Sequence, residues 1–151
     1  MRKIILLLLL PLALWAATPA VRAAEPCPAF EGQFLGANPT FKSGQELPRE
    51  GTFALALQPA ATVEYLVGSH HVRGEAGYGG VVTLTKLVPG RYRIFLSSAA
   101  NIELIQNYSP LTLTECGGEE ASYLVSVREG KVLLQVRGAA DATIDIAFLR
   151  L

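Results

Sequence analysis

From Thr52 to Phe148 the apolar residues keep falling at every second position, and this alternation limits the chain to half-buried strands. Phe53, Leu55 and Leu57 alternate with Thr52, Ala54 and Ala56, and Val63, Tyr65 and Val67 with Thr62, Glu64 and Leu66. Val82 and Leu84 alternate with Thr83 and Thr85. Tyr92, Ile94 and Leu96 share one phase, with Arg91, Arg93 and Phe95 on the other. The pattern continues through Ile102–Ile105, Leu111 and Leu113, then Tyr123, Val125 and Val127, then Val132, Leu134 and Val136, and ends with Ile144, Ile146 and Phe148. About nine short strands at roughly 10-residue spacing, with no convincing amphipathic helix, predict an all-β, antiparallel, jelly-roll-like β-sandwich over 51–151. The clearest turn is Pro89-Gly90, where proline presets φ and glycine supplies the positive φ of a type II turn. Because consecutive strands tend to be neighbours, hairpins are expected at Pro89-Gly90, at Glu129-Gly130 and over Gly138–Asp141. Leu66, Val81, Phe95, Ile105, Leu124, Leu133 and Leu149 fall on the outward phase, so some strands are expected to be covered on both faces, by the N-terminal arm or by a partner.

The start of the chain reads differently. Arg2 and Lys3 precede an apolar run from Ile4 to Ala17, and Val21-Arg22-Ala23 then offers small residues at the −3 and −1 positions of a cleavage site. The run is shorter than the roughly 20 residues that span a bilayer. This is the layout of a secretory signal peptide over 1–23. Cys27 follows Ala24-Glu25-Pro26, which is no lipobox. Residues 24–50, punctuated by Pro26, Pro28, Pro39 and Pro48, read as an N-terminal arm whose Phe30, Phe34, Leu35 and Phe41 pack on the domain. No stable membrane span is expected once the leader is gone, and the location is expected to be periplasmic or secreted.

Losing Arg2, Lys3 and Arg22 leaves 10 basic against 13 acidic side chains, a formal charge of −3. A weakly acidic chain without a basic run argues against nucleic acid, which needs clustered Lys and Arg to displace counterions, and against anionic lipid head groups. The two cysteines, Cys27 and Cys116, read as one structural disulfide of an exported protein. A redox role would call for a close pair such as C-x-x-C.

Few residues have the makings of a reaction centre. His70, His71 and Glu75 form the weak metal candidate, a 2-His-1-carboxylate set suited to non-haem iron if all three share a loop. No G-x-S-x-G is present, and Ser69 beside His70 lacks an orienting third group. Glu64, Glu103, Glu115, Glu119, Glu120 and Asp145 supply carboxylates, but on polar strand faces and in turns, where solvated carboxylates are the rule. Gly77-Tyr78-Gly79-Gly80 leads into a strand, not a helix, so it reads as a turn with a bulge and not as a phosphate cradle. Asn107-Tyr108-Ser109 matches the glycosylation sequon and is followed by Pro110. No catalytic residue and no cofactor is assigned.

The stretch from Gly79-Gly80-Val81-Val82 through Pro89-Gly90-Arg91-Tyr92-Arg93-Ile94, Asn101-Ile102-Glu103-Leu104 and Cys116-Gly117-Gly118 to Gly130-Lys131-Val132-Leu133-Leu134-Gln135-Val136 resembles a group of small exported proteobacterial proteins. These are similar to the bacterial pre-peptidase C-terminal β-sandwich domains, whose G-x-Y-x-aliphatic strand matches Gly90, Tyr92 and Ile94. Some members carry a homogentisate 1,2-dioxygenase label, which this chain does not support: it is too short and has no separated histidines. The resemblance, covering about 80–151, implies a fold and a compartment and transfers no catalytic residue.

Three functions follow as expectations. The first is a non-enzymatic exported module that binds an envelope protein or glycan, with Arg91, Arg93 and Phe95 as its binding face and edge-strand pairing as one route. The second is a carbohydrate-binding module using Tyr65, Tyr78, Tyr92, Tyr108 or Tyr123 as a stacking platform. The third is a metal-dependent, dioxygenase-like enzyme built on His70, His71 and Glu75.

Overall fold

Two β-sheets face each other across the apolar side chains that the alternation points inward. The computed structural model describes residue 27 and residues 38–47, 49–66, 76–116 and 121–151. Its twelve strands are β1 (Thr40–Lys42), β2 (Glu46–Leu47), β3 (Gly51–Ala56), β4 (Gln58–Pro59), β5 (Tyr78–Leu87), β6 (Gly90–Leu96), β7 (Asn101–Gln106), β8 (Ser109–Pro110), β9 (Thr114–Glu115), β10 (Ser122–Val127), β11 (Gly130–Ala139) and β12 (Thr143–Arg150). One sheet runs β1-β3-β12-β6-β10-β9 and the other β2-β5-β11-β7-β8, with β4 also pairing β5. The strands in excess of the expected nine are pieces of two or three residues. Setting aside β1, β2, β4 and β9 leaves β3-β12-β6-β10 against β5-β11-β7-β8, the strand order of a jelly roll. The pairing is antiparallel except at one side, where β1 runs parallel to β3 and β2 parallel to β5. Residues 40–47, read from sequence as arm, therefore supply an edge strand to each sheet.

The inward phase is as expected. Phe53, Leu55, Tyr92, Ile94, Leu96, Val125, Val127, Ile144, Ile146 and Phe148 of the first sheet meet Val82, Leu84, Leu104, Val132, Leu134 and Val136 of the second, and all are buried. The Tyr92 and Phe148 rings lie 4.9 Å apart, and Phe41 packs edge-on to Phe53. Each such side chain taken fully from water contributes roughly 1.5–3 kcal/mol.

The connections depart from expectation. Pro89-Gly90, Glu129-Gly130 and the 140–142 segment are not hairpins. Each carries the chain from one sheet to the other, since β5 and β11 lie in one sheet and β6, β10 and β12 in its partner. Hairpins favour primed turns, because ordinary type I and II turns splay the strands they join. Gly90 is itself the first residue of β6, with φ of 158°, well away from the roughly +80° of a type II turn. The corner is pinned by Tyr92, whose hydroxyl donates to the carbonyl of Val88 at 2.6 Å. This is the tyrosine-corner device of Greek-key folds. The tight hairpin among the described residues joins β7 to β8 through Asn107 and Tyr108, with Gln106 opposite Ser109.

Two expected strands are absent. Ala60–Thr62 form a 3-10 turn, and Val63–Leu66 run as irregular chain across the outside of β5 and β11. There Tyr65 donates to the carbonyl of Val136 and stacks under the guanidinium of Arg137, 4.0 Å from the ring centroid. Gly79 is required beneath it, because a Cβ would run into the Tyr65 hydroxyl. Leu111–Leu113 are likewise irregular, between β8 and β9. Cys27 and Cys116 are disulfide-bonded, with Cα atoms 5.6 Å apart. Among the described residues no helix is long and apolar enough to cross a membrane.

Candidate functional site

Arg91, Arg93 and Phe95 stand in line on the outer face of β6, but they do not form an open surface. Phe95 is 3% exposed and Arg93 8%, and only Arg91 reaches solvent. Arg93 sits between Leu124 of β10 and Leu149 of β12, and its guanidinium lies 4.7 Å from the Phe95 ring centroid. Its Nη2 donates to the hydroxyl of Ser122 at 3.3 Å, while Nε and Nη1, equally out of water, meet no acceptor. Unmet donors on a buried cation destabilise the fold. On the outer face of the other sheet, Gln135 is fully buried yet satisfied: it accepts from the Leu66 amide at 2.6 Å and donates to Glu103 at 3.1 Å. Ile105, another outward-phase residue, is buried, and Val81, Leu124, Leu133 and Leu149 are half-buried, so both sheets are partly covered on the outside as expected.

The accessible chemistry lies at one end of the sandwich, where four separate turns converge. Strand pairing fixes the convergence. Leu87 at the close of β5 stands opposite Gly130 at the start of β11, and Val127 at the close of β10 opposite Gly90. Arg150 at the close of β12 stands opposite Tyr92, and Phe148 opposite Gly51. This end thereby collects Arg49, Lys86, Arg91, Arg128, Lys131 and Arg150, six of the ten basic residues after residue 23. Lys131 pairs with Glu46 at 3.0 Å, both side chains well exposed. The other five are exposed and outside any described ion pair, and besides Glu46 the acidic side chains at this end among the described residues are Glu50 and Glu129. The opposite end carries Asp141 and Asp145 together with Lys42 and Arg137.

Local structure holds these side chains outward. Lys86 adopts φ of 54° where the pairing of β5 with β11 slips by a residue. Gln106 clamps the β10–β11 corner, donating to the carbonyl of Arg128 at 2.8 Å and accepting from its amide at 3.0 Å. Arg150 donates to the carbonyl of Pro89, and the Leu151 amide to that of Arg91. Of the four exposed large hydrophobic residues among the described residues, three share this end: Val88 (47% exposed), Leu151 (47%) and Tyr108 (87%). Asn107 and Tyr108 have φ of 52° and 60°, the two positive values of a type I′ hairpin. That turn favours Asn-Gly, and an aromatic in its second place is strained.

Tyr92 is buried at this corner. Burial pushes its hydroxyl up from the ordinary tyrosine range and the Glu50 carboxylate adds to the effect, opposed by Arg150 and by the bond to Val88. Tyr92 is thus a packing residue and not a stacking platform. Tyr65, Tyr78 and Tyr123 are half-buried, so Tyr108 alone of the described tyrosines is fully displayed. The sheet edges β1, β9, β2 and β8 are two or three residues long and offer little to an added strand.

His70, His71, Glu75, Ser69, Glu119 and Glu120 lie outside the described residues. Among the described residues no three of His, Cys, Asp and Glu stand together as a metal site. Glu103 is bound to Gln135, Asp145 accepts from Asn38 at 3.3 Å, and Glu64 and Glu115 are exposed. The convergent basic end escaped sequence reading because its members are spread from residue 49 to residue 150, with no basic run to signal it. The one local hint was a tyrosine following Asn107 between two strands. No protein-family model and no curated protein matches this chain.

Proposed function

We propose that this chain is exported and, with its leader removed, acts as a non-enzymatic interaction module of the cell envelope that presents its basic end to an anionic partner. The observation carrying this reading is the gathering of five exposed cations, none in a described ion pair, at the end that also carries Tyr108, in a chain whose charge after the leader is −3. Charge spread evenly would dilute the field, whereas charge concentrated at one end steers an anionic surface to that end. Export is supported by the leader-like first 23 residues and by the disulfide between Cys27 and Cys116, since such bonds persist in oxidising compartments. A relationship to the pre-peptidase C-terminal domains belongs to the same proposal and rests on residues 80–151. Arg91 stays in the proposed surface; Arg93 and Phe95 stand behind it.

Retention on washed cell envelopes tests the reading. Protein purified from cells expressing the full chain is expected to sediment with envelopes at low salt and to be released as salt rises. Protein that stays in the supernatant at every salt concentration would overturn it. A thermal-shift panel of metals, glycans and peptidoglycan fragments runs in parallel, where a ligand at 100 times its Kd adds about 2.7 kcal/mol.

A further inference from the structure

We infer that, against the expectation from net charge alone, the anionic partner of the basic end is a phospholipid bilayer surface, with Tyr108 as the anchor that enters the head-group region; this rests on the interaction-module reading above. The shape of the end is the first ground. Its side chains stand on separate turns or on the strand ends beside them: Val88 on the β5–β6 corner with Arg91 at the start of β6, Tyr108 on the β7–β8 hairpin, Arg128 on the β10–β11 corner, and Arg150 and Leu151 at the close of β12. Projecting tips with cations between them suit a broad, deformable, negatively charged plane. A folded protein would need a matching set of separate hollows.

The chemistry of the tips is the second ground. Tyrosine concentrates where a bilayer meets water, because its ring is apolar and its hydroxyl stays wet. Val88 and Leu151 add aliphatic surface, and Arg and Lys at the same level are attracted by anionic head groups. Leaving aside the chain terminus at Leu151, the cations Arg49, Lys86, Arg91, Arg128 and Arg150 outnumber the acids Glu50 and Glu129.

The third ground is the backbone at Tyr108. The hairpin holds a bulky residue at φ of 60°. The Tyr108 side chain forms no hydrogen bond, ring contact or ion pair with the described residues, and it is 87% exposed. Glycine would relieve the turn, and no described residue gains a hydrogen bond, ring contact or ion pair from the ring. Strain held at an exposed position is the mark of a residue kept for an external contact.

Sedimentation with vesicles decides the matter. The full chain is expressed, and wild type and variants are confirmed by mass spectrometry to share one N-terminus. Wild type is expected to bind vesicles rich in phosphatidylglycerol, to release from them as salt rises, and to ignore vesicles of phosphatidylcholine alone. The double variant Arg91→Gln, Arg128→Gln is expected to bind roughly 30-fold more weakly, at the usual contribution of a cation near a charged leaflet. Tyr108→Gly is expected to bind more weakly and yet to unfold at a higher temperature, two opposite shifts that a structural role would not produce. Equal binding to both vesicle types, or a double variant that binds like wild type, overturns the inference. Retention on envelopes without binding to lipid vesicles also overturns it, pointing to an envelope protein while leaving the interaction-module reading in place.

Discussion

The two ends of the sandwich are fastened by different means. At the basic end two corners are held by side-chain clasps: Tyr92 to Val88 and Arg150 to Pro89 at the β5–β6 corner, and Gln106 to Arg128 at the β10–β11 corner. The far end instead ties down the beginning of the chain. There Cys27 is bonded to Cys116, whose amide donates to Ser122, and Asn38 donates to Asp145, itself locked to Ser97 by two hydrogen bonds. Local clasps hold a surface in shape without help from distant parts. A covalent tie acts on the whole unfolded chain and says little about the geometry of any one corner. The contrast shows how a domain can separate the stability of its fold from the rigidity of a face.

Breaking the far-end tie should have the largest effect. Replacing Cys27 and Cys116 by serine opens a loop of about 90 residues and should cost roughly 4–5 kcal/mol in the chain-entropy account. Denaturant unfolding would show this as a lower midpoint, and vesicle binding by the folded fraction should be unchanged. A binding loss equal to the stability loss would erase the distinction between the ends. Next comes Gln106→Ala at the basic end. It strips both the amide and the carbonyl of Arg128 of their partner at a corner where Gln106 is 4% exposed, and should cost about 2–3 kcal/mol.

The smallest effect is expected at Tyr92. Its replacement by phenylalanine should cost about 1 kcal/mol at neutral pH. Because the folded protein holds the Tyr92 proton more tightly than the unfolded chain, the unfolded state binds fewer protons once pH passes the ordinary tyrosine value near 10. The stability due to this group is thus complete below that pH and lost as pH rises towards the raised value. Alkaline unfolding of wild type and Tyr92→Phe should therefore converge above about pH 10, whereas a constant gap would place the hydroxyl's effect elsewhere.

What could be seen in the sequence was local. Period-two alternation marked which side chains of β3, β5, β6, β10, β11 and β12 face the core, and the placement of Tyr92 among them was correct. Which strands lie side by side was not legible. The Pro89-Gly90 and Glu129-Gly130 turns look the same in sequence whether they close a hairpin or hand the chain to the opposite sheet. The covering of outer faces is equally non-local. Gln135 lies on the phase of an exposed strand residue and is fully buried because Leu66, from an irregular stretch far back in the chain, lies against it. Phe95 and Arg93 fell on the outward phase as read, and their burial could not be foreseen from alternation alone. The basic end was hidden for the same reason: Lys86, Arg91, Arg128 and Arg150 become neighbours only when the strand order is known.

That strand order also governs when the protein can fold. The two described strands latest in the chain, β11 and β12, are interior to their sheets: β11 lies between β5 and β7, and β12 between β3 and β6. Neither sheet can be completed until β11 and β12 are free, and their contacts with β3, β5, β6 and β7 then span long stretches of chain. Synthesis from the N-terminus thus yields a lengthening polymer with no finished sheet to settle into. Were the chain exported as proposed, such a delay would keep it unfolded until β11 and β12 had emerged on the far side.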